Sequence, residues 1–97
     1  MSKKSYTESI MNTTKGICYI CGCNQGNERH HVFSGHPNRQ KSEADGCWIW
    51  ICRACHQGIH DHNEGELALK QEAQRVWMKA YRKTEDDFRD RFSKSYM

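Results

Sequence analysis

The stretch Cys52-Arg53-Ala54-Cys55-His56-Gln57-Gly58-Ile59-His60 decides how this chain is read, together with Cys18-Tyr19-Ile20-Cys21 and the tandem His30-His31 upstream. Each C-x-x-C pair offers two sulfur ligands from a single turn, and two such pairs close one tetrahedral zinc site. Cys18, Cys21, Cys52 and Cys55 are therefore expected to hold a structural Zn2+. Cys23 competes with Cys21 for that role, and Cys47 reads as a small buried hydrophobe. The roughly 30-residue interval between the pairs leaves room for a strand, a loop and a second strand.

Around the first pair, Gly16 to Cys23 reads as a knuckle whose backbone amides point at sulfur, with Gly22 supplying the positive φ of the turn. Arg29-His30-His31-Val32-Phe33 is a short strand candidate, and Cys47-Trp48-Ile49-Trp50-Ile51 is the strongest strand in the chain. It runs straight into the second C-x-x-C, where a helix is expected to begin. On that helix His56 and His60 stand four residues apart and share a face. A metal held by His30, His56 and His60 would keep open positions for water and substrate. His31 alternates to the other side of its strand and stays metal-free, which suits a general base. The pattern Cys52-x-x-Cys55-His56 also fits covalent haem attachment, a reading that gives Cys18, Cys21 and His60 nothing to do.

The chain has 97 residues, enough for one small domain, and its 36% apolar content and mean hydropathy of -1.00 leave a thin core that needs a staple. No apolar run resembling a signal peptide follows Met1 to Glu8, so the thiols are expected in a reducing cytosol, where paired C-x-x-C favours metal over disulfide. No window approaches the length of a membrane span. A net charge of +3 agrees with a polyanionic partner. Residues 1–15 read as a flexible basic arm and residues 16–97 as a single zinc-stapled domain. Ser34 to Gly46 reads as a polar loop carrying Arg39 and Lys41 beside the proposed centre. Asn63 with Glu66 is expected to cap a longer helix bearing the apolar stripe Leu69, Ala73, Val76, Trp77 and Ala80. Thr84 starts a last helix with Phe88 and Phe92 on one face.

Arg29-His30-His31-Val32 and Cys52-x-x-Cys55-His56-x-x-x-His60, with the zinc knuckle, resemble the HNH nuclease superfamily. More narrowly, His30 to Gly35, Asn38-Arg39, Lys41-Ser42-Glu43 and the tail from Leu69 to Tyr96 are similar to small phage HNH proteins, a group that includes recombination-enhancement, recombinase-dependent nucleases. The resemblance implies a small α+β fold: a ββα-metal core (the HNH or His-Me finger) with a four-cysteine zinc knuckle and C-terminal helices. It implies a metal-dependent DNA endonuclease or nickase, encoded by a phage and acting in the bacterial cytoplasm. His31 would be the general base, and His30, His56 and His60 would hold one catalytic divalent ion, Mg2+, Mn2+, Ni2+ or Zn2+. The middle Asn of the common pattern falls on Cys47, so either Asn38 or a backbone carbonyl would orient His31. Arg29, Arg39 and Lys41 would grip DNA phosphates, with solvated charge as the competing reading. The implied partners are DNA and a recombinase or other phage DNA-processing protein. The alternative function is a non-catalytic zinc module that binds nucleic acid or protein.

Overall fold

A computed structural model of the chain describes residues 8–35, 37–63 and 65–97. Within them the order is β1 (Glu28–His31), α1 (Asn38–Asp45), β2 (Trp48–Ile51), α2 (Arg53–His62), α3 (Glu66–Tyr81) and α4 (Glu85–Phe92), a small α+β fold. β1 and β2 pair antiparallel, with Glu28 opposite Ile51, Arg29 opposite Trp50, His30 opposite Ile49 and His31 opposite Trp48. No helix of the described residues is long and apolar enough to cross a membrane.

The outer edge of β2 is covered by the segment before the knuckle, which satisfies its backbone groups. Ser9 Oγ donates to Trp48 O at 2.6 Å, Trp50 N donates to Thr13 Oγ1 at 3.0 Å, and Tyr19 N donates to Trp50 O at 2.9 Å. Met11 is buried beneath this crossing. The expectation of a free arm through Lys15 is thereby corrected: residues 8–15 are tied to the sheet, and residues 1–7 lie outside the described residues. The physical reason is the open strand edge, whose unpaired N–H and C=O groups recruit whatever polar chain lies nearby. The knuckle closes against Gly26, where a Cβ would meet Cys18 N and Ile17 C at 2.4 Å, so no side chain fits.

Two further expectations change. The segment read as a loop from Ser34 to Gly46 contains α1, bracketed by Pro37 before it and by Gly46, in the left-handed region at φ 79°, after it. Its buried residue is Ser42, a polar one, so no apolar period announced the helix. Ser42 Oγ donates to Phe33 O at 2.8 Å and accepts from Phe33 N at 3.1 Å, which ties α1 to the chain just beyond β1. Asn63 does not cap α3 from the front. It ends α2 in the left-handed region at φ 56°, and α3 starts after Gly65 with no side-chain cap. The tolerance of Asn for that conformation serves the end of α2, which precludes the extended backbone an N-cap requires.

The C-terminal helices form where the sequence places them, but the expected stripe is buried only in part: Val76 is half-buried and Ala80 is exposed. Leu69, Ala73 and Trp77 bury one face of α3, and Thr84 forms a capping box with Asp87 at the start of α4. Phe88 and Phe92 pack on Phe33 with ring centroids 5.1 and 4.7 Å apart, so the aromatic core lies at the end of β1 away from the cysteines. Ser42→Ala would strand the buried Phe33 N–H and is expected to cost about 1–3 kcal/mol, readable as a lower midpoint in denaturant melts. An unchanged midpoint would show that α1 is not held by this hydroxyl.

Candidate metal centres and the cleft at the histidines

Two clusters with metal-ligand chemistry form among the described residues, and Cys52 begins the helix that connects them. The ligand atoms of Cys18, Cys21, Cys52 and Cys55 all lie within 4.8 Å of one another. Cys21 Sγ and Cys52 Sγ are 3.9 Å apart. A zinc tetrahedron with bonds of about 2.3 Å has edges of about 3.8 Å, so the sulfurs are spaced for a shared ion. The two turns repeat one geometry: Cys21 N donates to Cys18 Sγ, and Cys55 N to Cys52 Sγ, each at 3.4 Å. Gly22 has the positive φ expected of it, 80°.

Burial pushes the Cys18 thiol up, but hydrogen bonds from the backbone at Cys21, Cys52 and Ile20 outweigh it and bring it down to about 6. Backbone hydrogen bonding at Cys55 likewise lowers Cys52, whereas Cys55 is pushed up by burial and by the three neighbouring sulfurs. Four sulfurs this close cannot all be anionic unless a cation lies between them. Cys23 stays outside the set, its carbonyl accepting from Cys18 N at 2.9 Å, and Cys47 is fully buried.

The second cluster is His30, His56 and His60, again with ligand atoms within 4.8 Å of one another. Ring centroids are 5.2 Å apart for His30 and His56, 5.5 Å for His30 and His60, and 4.7 Å for His56 and His60. β1 supplies the first ligand and α2, one and two turns beyond Cys52, supplies the others. His30 Nε2 is buried with no hydrogen-bond partner, an arrangement that is costly for a ring nitrogen unless something binds it. Burial first, then the neighbouring His56 and His60, holds His30 down to about 4, so its ring is neutral and carries the lone pair a metal needs. Glu28 Oε1 lies 2.8 Å from His56 Nδ1, which leaves His56 Nε2 for the cluster. These observations fit a divalent ion. Glu28 carried no assigned role in the sequence; its signal was the two-residue spacing from His30 on a strand.

Strand alternation divides β1 between its two neighbours. Glu28 and His30 serve α2, while Arg29 and His31 serve α1, and both of the latter meet Glu43. Glu43 Oε1 makes a hydrogen bond with His31 Nε2, and Arg29 Nη2 donates to both Glu43 oxygens at 2.9 and 3.2 Å. His31, Arg29 and Arg39 line a cleft of about 340 Å³ with the three metal-type histidines, and the same three residues line an adjoining hollow with Gln40 and Glu43.

Not every expected site residue joins them. Asn38, assigned to orient His31, donates to Phe92 O at 3.1 Å instead, because α1 turns its first residue toward α4. Lys41 donates to Arg91 O at 2.7 Å and is not among the residues lining either hollow. Arg39 is exposed at the cleft.

Protein purified without added metal is expected to carry about one tightly held zinc in the cysteine cluster. Cys52→Ser should remove that equivalent and lower the melting temperature, because the ion's binding energy is spent on folding. Unchanged zinc content and melting would refute the four-cysteine site.

No protein-family model, curated protein or solved structure matches this chain, so the role of the two clusters is argued from their own residues.

Proposed function

We propose that this chain is a metal-dependent DNA endonuclease or nickase of the HNH type. The observation that carries the reading is the convergence of His30, His56 and His60 next to a fourth histidine, His31, on one cleft whose rim bears Arg39. Ligand-type histidines on β1 and on α2, the helix that directly follows β2, support the reading, with α1 standing where the ββα pattern has a loop. A non-catalytic zinc module would need only the four cysteines and would give the buried His30 and His31 no task.

A phosphodiester resists attack because it is anionic. When bound, a divalent ion at the three histidines supplies charge neutralisation for the phosphate and for the departing 3′ oxygen. His30 offers its buried Nε2, and Glu28 orients the ring of His56. His31 accepts a proton from water as its oxygen attacks phosphorus, the bond to the 3′ oxygen breaks, and that oxygen gains a proton from solvent. The products are a 5′-phosphate and a 3′-hydroxyl. Arg39 holds the flanking phosphate, and among the described residues no Phe, Tyr or Trp lines the cleft for base stacking. Three imidazoles without a carboxylate favour Zn2+ or Ni2+ over Mg2+, with Mn2+ between them. The similarity to recombinase-dependent phage nucleases makes a recombinase filament on DNA the first addition to try in an assay.

The test is nicking of supercoiled plasmid in each of these ions. His31→Ala should keep the metal and lose roughly 10²- to 10⁴-fold in rate, whereas His60→Ala should weaken metal binding itself. Near-parental cleavage by His31→Ala at saturating metal would overturn the role of that residue, and no cleavage by the parent in any ion would favour the non-catalytic module.

DNA binding should follow the placement of the basic residues. Arg39→Ala is expected to weaken binding to all sequences alike and to lower the salt slope by roughly one, measured by fluorescence anisotropy. Lys41→Ala should leave that slope unchanged, since its ammonium is engaged with Arg91 O.

A further inference from the structure

We infer that Glu43 is the positioning residue for His31: its carboxylate fixes the ring with the proton on Nε2 and leaves Nδ1 as the nitrogen that accepts a proton from water. The inference rests on the hydrolytic reading above and adds to it a residue that the sequence left without a role.

The geometry begins with β1. Its alternation brings His31 to α1, where Glu43 meets it through Nε2, while His31 also lines the cleft of the metal-type histidines. An ionised carboxylate only accepts hydrogen bonds, so the Nε2 facing it must be the protonated nitrogen, and in a neutral imidazole the lone pair then resides on Nδ1. Glu43 is kept ionised by its surroundings: burial pushes its carboxyl up, but the hydrogen bond to His31 and the charge and hydrogen bonds of Arg29 bring it below the usual carboxylate range.

The carboxylate is also held in place. Its neighbour Ser42 is fully buried and doubly bonded to Phe33, and Arg91 grips Asp45 at 2.8 and 2.9 Å two residues further on. Glu43 therefore has little freedom to leave His31, in keeping with the rule that a functional ring is oriented by a rigidly supported second group. Glu43 lines the hollow beside Arg39 and Gln40, and it is absent from the cleft that His30, His56 and His60 line; His31 lines both. Glu43 thus acts on the cleft through His31. Neither candidate from the sequence fills this role, since Asn38 is engaged with Phe92 O and a side-chain carboxylate occupies the position expected of a backbone carbonyl.

The experiment uses the full zinc-loaded chain labelled with 15N, with long-range correlation spectra reporting which His31 nitrogen carries the proton, alongside steady-state nicking of supercoiled plasmid in Mn2+. The parent is expected to show His31 protonated at Nε2. Glu43→Ala should lose that preference and drop kcat by roughly 10²-fold while KM for plasmid stays within about threefold. Glu43→Gln keeps a carbonyl oxygen as acceptor and should retain the preference and most of the rate, which also guards against a variant that fails to fold. His31 protonated at Nδ1 in the parent would overturn the inference outright, and so would an unchanged His31 spectrum in folded Glu43→Ala. A loss confined to KM with the ring state unchanged would assign Glu43 to holding Arg29 and overturn it as well. A parent that does not nick would instead defeat the nuclease reading, and the ring-state measurement would still decide the role of Glu43.

Discussion

Cys52 is where three requirements of this chain meet. It follows β2 directly, it is the N-cap of α2, its sulfur accepting from Cys55 N, and it belongs to the four-cysteine cluster. Anchoring that one residue fixes the start and rotation of α2, and with them the positions of His56 and His60, one and two turns further along. The third histidine comes from β1, whose offset from α2 is set by the register that places His30 opposite Ile49. A metal ion held at the cysteines would thereby support the geometry of the histidine cluster. In a chain with so little apolar content, packing alone would specify that geometry poorly.

The rest of the stability is assembled from the other end. Phe33, Phe88, Phe92 and Trp77 form an aromatic cluster under α3 and α4, and Tyr96 stacks over Phe33. Polar groups complete what the apolar ones begin: Gln74, fully buried, accepts from Tyr96 N and donates to Ser95 Oγ, so the C-terminal tail is tied to α3. Asp45 gathers Trp77, Tyr81 and Arg91 at the end of α1. The cleft is lined from β1, from α2 and from Arg39 of α1.

Two carboxylates each engage one histidine. Glu28 binds His56 Nδ1 and leaves its other nitrogen to the metal cluster, whereas Glu43 binds His31 Nε2 on the opposite side of the same strand. Each acid is brought to its histidine by the two-residue period of β1, one from within the strand and one from the helix beside it. Arg29 shares Glu43 with His31 and stacks over Trp48 at 4.9 Å, so its charge is largely spent within the protein. That leaves Arg39 as the basic residue of the cleft best placed for a phosphate.

Motifs whose chemistry is local were legible in the sequence. The two C-x-x-C turns, the pairing of His56 and His60 on one helical face, the two strands and the Thr84 cap each depend on residues within a few positions of one another. Their joining into one cysteine cluster and one histidine cluster was legible too, because a metal restricts the partners it accepts. What the tertiary structure alone decided involves polar residues that meet partners far along the chain. α1 carries no signal in the sequence because it buries a serine rather than an apolar stripe, and residues 8–15 carry none because an open strand edge, not their own composition, orders them. Residue type suggests roles for Asn38, Lys41 and Asn63, but their partners are set by the direction in which α1 and α2 run. Glu43 shows the reason most plainly: a hydrogen bond needs only one donor and one acceptor at close range, so nothing in the residues between positions 31 and 43 marks which acid the fold will bring to His31.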